Sequence, residues 1–174
     1  MFGLNSRLFI ILVFLLTTQS HWSDPPPTDT IVFGLSSEPK TLDPRYATDA
    51  SGQRIGRLIF SSLIQHTPDL EVKGILASDW KLVGNTYHFT LKPGIQFHNG
   101  EFATAEDFIF SINQFKNGRS PFTAQFSVIK DVQATYDPET GGALKIHLDS
   151  FSAPFFQDLK TIKLLPKKVV QSMG

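Results

Sequence analysis

The stretch LASDWKLVGNTYHFTL, Leu76–Leu91, constrains the fold of this chain more than any other. Two strand-like runs, Leu76–Val83 and Thr86–Leu91, flank Gly84 and Asn85, and a two-residue glycine-containing loop between such runs predicts an antiparallel hairpin. In the second run Tyr87, Phe89 and Leu91 alternate with His88 and Thr90. A period of two places the aromatic residues on one face and His88 on the other. Val128–Tyr136, the turn residues Asp137–Gly142 (DPETGG) and Leu144–Leu148 predict a second hairpin, in which Leu144, Ile146 and Leu148 alternate with Lys145 and His147.

Lys92–Ser111 (KPGIQFHNGEFATAEDFIFS) follows the first hairpin. Pro93–Gly94 reads as a turn, Ile95–His98 as a short strand, and Asn99–Gly100 as a second turn. Thr104 is placed to cap a helix, with Asp107 three residues on and able to reach back to the cap's own amide. Phe108, Ile109, Ile112 and Phe115 then share one face. Burying four such side chains is worth roughly 6 to 12 kcal/mol before entropy is subtracted, which makes this face a determinant of the fold. Phe110 lies off the stripe and implies a helix covered on more than one side.

Upstream, Ile31–Leu35 (IVFGL) has the length and apolar density of a strand inside a sheet covered on both faces. A long polar loop follows, with Pro39 and Pro44 forcing extended or turn geometry on Glu38 and Asp43. Gly52–His66 carries Ile55, Leu58, Ile59, Leu63 and Ile64 on helical spacing, and predicts an amphipathic helix ended by Thr67, Pro68 and Asp69. Arg54 and Arg57 fall off that stripe and read as solvated. Downstream, Pro154 opens a helix through Phe155, Phe156 and Leu159, broken at Leu164–Pro166.

At the amino terminus Arg7 precedes nine apolar residues, Leu8–Leu16, too few to span a bilayer. They fit the apolar region of a secretory signal peptide, with Thr18 and Ser20 as the small residues before a cleavage point after Ser20. An uncleaved anchor or a buried helix is the alternative. The expected organisation is a signal peptide over 1–20, a proline-rich spacer over 21–30 and a folded body over 31–174. Loss of the leader removes one arginine and no acid, leaving a net charge of about −1. The chain has no cysteine, hence no disulfide framework, thiolate metal site, cysteine nucleophile or lipid-modified cysteine. Sixteen basic and sixteen acidic residues balance over the 174, so charge gives no case for nucleic acid.

Catalytic chemistry has little support. Glu101, Glu106 and Asp107 could be read as a carboxylate acid/base set, but capping and helix-start charge explain Asp107 and Glu106. His88 and His98 match no zinc or iron spacing, there is no G-x-S-x-G elbow, and no glycine-rich phosphate loop occurs. The expectation is a protein with no catalytic residue, no metal and no cofactor.

The run YHFTLKPGIQFHNGEFATAEDFIFSINQF, Tyr87–Phe115, resembles the signature of the family 5 bacterial extracellular solute-binding proteins, the group with the oligopeptide-, dipeptide- and nickel-binding components of ABC importers. An aromatic strand ending in L-[KR]-x-G, then F-H-[ND]-G, then T-A-x-D at a helix start and F-S within it are all present. Gly34–Pro44 (GLSSEPKTLDP), Ser61–Asp69 (SSLIQHTPD), LASDW, YDPET and LLPKKVV follow the family's order, so the resemblance covers roughly Ile31–Gly174. It implies an α/β (mixed α+β) chain with a partial type II periplasmic binding protein fold, namely the first part of lobe one plus the extra amino-terminal subdomain. Family members continue much further and cross to a second lobe. The resemblance also implies that the loop Ala47–Gln53 (ATDASGQ) and the aromatic after Ser-Pro, Phe122, line the cleft, which makes Thr48, Asp49, Ala50, Ser51 and Phe122 the candidate ligand-binding residues. Alternatively Thr48–Ser51 only cap the following helix and Phe122 is core.

What this implies for function is an exported, periplasmic receptor that captures peptides or a similar small solute and passes it to an inner-membrane ABC permease, its only contact with the membrane. The alternative is a truncated or degenerate family fragment without transport activity, serving as an interaction piece. An enzyme is the most distant reading.

Overall fold

The computed structural model describes residues Asp29–Met173; the expected signal peptide and most of the spacer lie outside the described residues. The chain divides after Gly34 into two units, and nearly all described structure belongs to the second, Leu35–Gly174. Within it the elements run α1 (Ala50–Ile59), β1 (Ile64–His66), β2 (Val72–Gly74), β3 (Ala77–Val83), β4 (Thr86–Leu91), α2 (Ala105–Asn117), α3 (Thr123–Phe126), β5 (Ile129–Asp137), β6 (Gly141–Leu148), α4 (Ala153–Asp158), one 3₁₀ turn (Leu159–Thr161) and α5 (Lys167–Ser172).

Both expected hairpins form. β3 and β4 pair antiparallel around Gly84, which takes a φ of 59°, and β5 pairs with β6. β4 pairs with β6, so the hairpins merge into one antiparallel sheet of order β3-β4-β6-β5. The alternation in β4 and β6 decides which face is dry. Tyr87, Phe89, Leu91, Leu144, Ile146 and Leu148 are buried, whereas Thr90, Lys145, Asp131 and Gln133 face solvent or its margin. Helix α2 packs Phe108, Ile112 and Phe115 onto the dry face; Ile109 and Phe110 are half-buried, in keeping with cover on more than one side. The phenylalanines interlock there, with ring centroids 6.3 Å apart for Phe115 and Phe126 and 6.4 Å for Phe126 and Phe155, both edge to face.

The amino-terminal cap of α2 is the reciprocal one expected. Asp107 Oδ2 accepts from the Thr104 amide at 2.8 Å, and the Asp107 amide donates to Thr104 Oγ1. The same carboxylate also accepts from the Lys167 amide at 2.8 Å through Oδ1, and Glu106 pairs with the Lys167 ammonium at 2.7 Å. One turn further, the buried Ser111 hydroxyl donates to the Asp107 carbonyl and accepts from the Leu165 amide at 2.8 Å. The start of α2 thus holds the segment Leu165–Lys167 as well as itself.

Four expectations change. Ile31–Leu35 forms no strand, and Ile31, Val32 and Phe33 are 79%, 71% and 75% exposed. Apolar density predisposes to a strand but only a pairing partner satisfies its backbone, and none of the described strands pairs with this segment. The helix expected over Gly52–His66 ends at Ile59, with Leu58 81% exposed and Ser51, Gly52 and Gly56 on its buried side. Leu63 and Ile64 are buried instead in a two-stranded β1-β2 arm, where Ile64 pairs with Gly74 and the Leu63 carbonyl accepts from the Ile75 and Ala77 amides. Thr67–Asp69 belongs to the turn of that arm. The expected strand Ile95–His98 reduces to a single bridge, Gln96 to Phe102, and the helix opened by Pro154 closes in the 3₁₀ turn before Leu164 is reached.

Candidate functional site

The loop before α1 is anchored at three points. Asp43 takes the Arg45 guanidinium through both oxygens, at 3.0 Å from Nε to Oδ1 and 2.6 Å from Nη2 to Oδ2; this hydrogen-bonded pairing holds the guanidinium pKa above its ordinary value. Arg45 Nη1 donates to Gln114 Oε1 on α2 at 3.0 Å, and Ser120 Oγ donates to the Arg45 carbonyl at 2.8 Å. Ser120 Oγ also accepts from the Phe122 amide. The loop that leads into α1 and the Ser-Pro-Phe turn, more than seventy positions apart in sequence, are therefore tied to each other through one serine hydroxyl.

Asp49 is the cap of α1, its Oδ1 accepting from the Gly52 amide at 2.8 Å. That hydrogen bond, followed by one from the Lys40 amide, holds its carboxyl below the ordinary aspartate range. Ser51 is buried, with its hydroxyl 3.2 Å from that of Ser37, while Thr48 and Ala50 are exposed. Phe122 is half-buried and stacks obliquely on Phe115 at 6.1 Å.

Where loop, helix and turn meet lies a cavity of about 90 Å³. Pro44, Ala47, Gly52, Gln53 and Gly56 form one wall, Phe122 another, and Arg57, Lys160, Thr161 and Lys163 the rest. Of the five residues expected from the sequence, Phe122 lines this cavity; Asp49 and Ser51 hold the helix start that forms its wall, and Thr48 and Ala50 stand on the exposed side. Lys163 was missed. It is 7% exposed, its ammonium donates to the Lys160 carbonyl at 2.9 Å, and burial first, then the nearby Arg57 charge, lower its pKa from 10.5 to about 8. Its signal was present: a lysine inside the apolar run Ile162–Leu165 must either snorkel out or be buried.

The connecting segment holds one histidine, His98, and the carboxylates Glu101, Glu106 and Asp107. His98 is exposed, Asp107 is consumed by capping, and among the described residues no group of three or more His, Asp or Glu could hold a metal ion. Ile95–Asn99 lines, with Ile59, Phe60, Leu164, Pro166 and Val169, a mainly apolar groove of about 290 Å³.

Comparison with known proteins identifies the family and the fold. The family model described as "Bacterial extracellular solute-binding proteins, family 5 Middle" matches residues 71–163, more than half of the chain. Among curated proteins, the chain is 27% identical to the oligopeptide-binding protein AppA of Bacillus subtilis over 95% of its own length and 32% of that protein. It is 30% identical to the probable D,D-dipeptide-binding periplasmic protein DdpA of Escherichia coli over 76% of its length and 26% of that protein. Among solved structures, NikZ of Campylobacter jejuni, in complex with Ni(L-His), superposes with a TM-score of 0.71 at 28% identity, covering 83% of this chain and 29% of that one. AppA in complex with a nonapeptide gives 0.69 at 24% identity, covering 79% and 28%. The fold is thus part of a periplasmic binding protein fold, and the chain spans about a third or less of the length of the relatives it matches.

Proposed function

Because the chain belongs to the family 5 bacterial extracellular solute-binding proteins, we propose that it serves as the amino-terminal part of an exported receptor that captures peptides or a similar small solute for an ABC import system. The observation that carries this reading is the tie, through the Ser120 hydroxyl, between Arg45 in the loop that leads into α1 and the Phe122 amide. Residues of the two segments that the family resemblance places along the cleft, Ala47, Gly52 and Gln53 on one side and Phe122 on the other, line one cavity, and Thr48 and Ala50 are exposed. The names of the relatives, binding proteins for oligopeptides and dipeptides, support a binding role over an enzymatic one. The inner-membrane permease is the partner that receives the solute, and export to the periplasm by a cleaved leader, without a lipid-modified cysteine, is the location that fits.

Isothermal titration calorimetry of the product of the complete reading frame against a library of short peptides tests the proposal. Saturable heat with a defined peptide class is the expected result, and absence of heat across the library removes it. Exported protein should begin at His21 by mass spectrometry; an intact Met1 would refute leader cleavage.

A further inference from the structure

The cavity beside Phe122 has an electrostatic imbalance that the receptor reading does not require. Three cations, Arg57, Lys160 and Lys163, line it, and among the described residues no carboxylate lies within ion-pair distance of any of them. Arg57 and Lys160 are exposed and water can serve them. Lys163 is different: it is more than nine-tenths buried, and the one protein acceptor found for its three N–H donors is the Lys160 carbonyl. A buried ammonium is tolerated when an anion or several acceptors complete its shell, and is costly otherwise. The cavity, at about 90 Å³, is well above the roughly 10–15 Å³ that a single water needs and so has room for water or a small polar group.

Resting on the receptor reading, we propose that this cavity is an anion subsite that takes a carboxylate of the bound solute, with Lys163 as its buried donor, Lys160 and Arg57 as flanking charges, and Phe122 as the apolar wall against which the adjoining carbon packs. A charge-assisted N–H···O bond to an ammonium already stripped of water is stronger than the same bond at the surface. The backbone of α1 leaves space for the ligand at Gly56, where an added Cβ would meet no atom within 4 Å, whereas at Gly52 a Cβ would press on the Thr41 carbonyl at 2.9 Å. Gly56, which lines the cavity, is therefore a position at which a side chain can start without a clash at its Cβ.

The test uses the full chain labelled with ¹³Cε-lysine and titrated with sodium acetate against sodium chloride at equal ionic strength. The expected result is a saturable shift of the Lys163 resonance and a rise of its titration midpoint with acetate but not with chloride. Lys163→Met should abolish the response, and Gly56→Leu, which fills the cavity and retains the lysine, should weaken acetate binding by about tenfold or more. A response equal for chloride and acetate, one spread over all lysines, or one unaffected by Gly56→Leu in a folded protein overturns the subsite. Calorimetry with a peptide that binds, compared with its carboxyl-terminal amide, separates this idea from the receptor reading. Equal affinity for the two refutes the subsite and leaves the receptor intact, whereas local acetate binding without any peptide binding removes the receptor and, with it, the subsite's role toward a bound solute, leaving an anion site alone.

Discussion

Lys163 makes the most quantitative prediction. Its pKa falls from 10.5 to about 8 on folding, so the unfolded chain binds a proton at this position more tightly than the folded one. Above the unfolded value both states are neutral and there is no penalty; as pH falls through 10.5 the unfolded state gains a proton first, and the folded protein loses stability until both are charged below about 8. At roughly 1.4 kcal/mol per pH unit, the full penalty is about 3 kcal/mol, and roughly half of it should be regained between about pH 8 and about pH 9.5. Higher pH is less informative, because buried Tyr87 has a phenol whose pKa is raised on folding and whose contribution is lost as pH climbs past 10. Urea unfolding of the wild type and Lys163→Met at several pH values in this window isolates the lysine. The variant should be the more stable near neutral pH, by up to about 3 kcal/mol, and the gap should close as pH rises. Parallel curves for the two proteins would show that Lys163 is solvated in solution and would refute the reasoning for both its burial and its role in the cavity.

The ties made by Asp107 predict that Asp107→Ala costs about 2 to 3 kcal/mol in denaturant unfolding, since it removes the acceptor for the Thr104 amide in the α2 capping box and also the acceptor for the Lys167 amide. A loss of less than about 0.5 kcal/mol would mean that water replaces the carboxylate at both amides and would refute the tie between α2 and Lys167. Gly141 takes a φ of +85°, and a Cβ there would run into the Leu91 carbonyl oxygen across the sheet. Gly141→Ala should therefore lower stability by at least about 2 kcal/mol and raise hydrogen exchange in β4 and β6 first; an unchanged unfolding midpoint would contradict the close approach.

The parts of the fold legible in the sequence are those whose cause is local. The two hairpins follow from a period of two and a turn at fixed offset, and the α2 start from two residues three apart. Errors arose where a distant partner decides the state. Leu63 and Ile64 sit on a helical stripe by spacing, yet the amides of Ile75 and Ala77 and the pairing with Val72–Gly74 draw them into a β arm. Ile31–Leu35 has the composition of a strand and lacks a described strand to pair with. For the site, the resemblance supplied Phe122 and the loop before α1, but the serine that ties them acts across 75 positions, which no local pattern carries, and the lysine between them shows in the sequence only as a charge inside the apolar run Ile162–Leu165.

The segment Thr104–Ser111 shows how such distant contacts give a local motif its use. Read locally, it is a cap followed by an apolar face. In the folded chain its Asp107 and Ser111 accept from the amides of Lys167 and Leu165, and Ser61 accepts from the Leu164 amide. These bonds fix the extended stretch Ile162–Pro166 along its length, and Lys163 lies in that stretch. A lysine on a free strand would turn its ammonium to water at small cost. Lys163 stays buried because Ile162, Leu164 and Leu165 on either side are buried and the backbone is held at three amides. The same residues that identify the chain by sequence therefore hold in place the one buried cation of the cavity wall. It follows that the Asp107→Ala protein, if it remains folded, should show a Lys163 titration midpoint moved from about 8 back toward 10.5, as the stretch loosens and the ammonium reaches solvent.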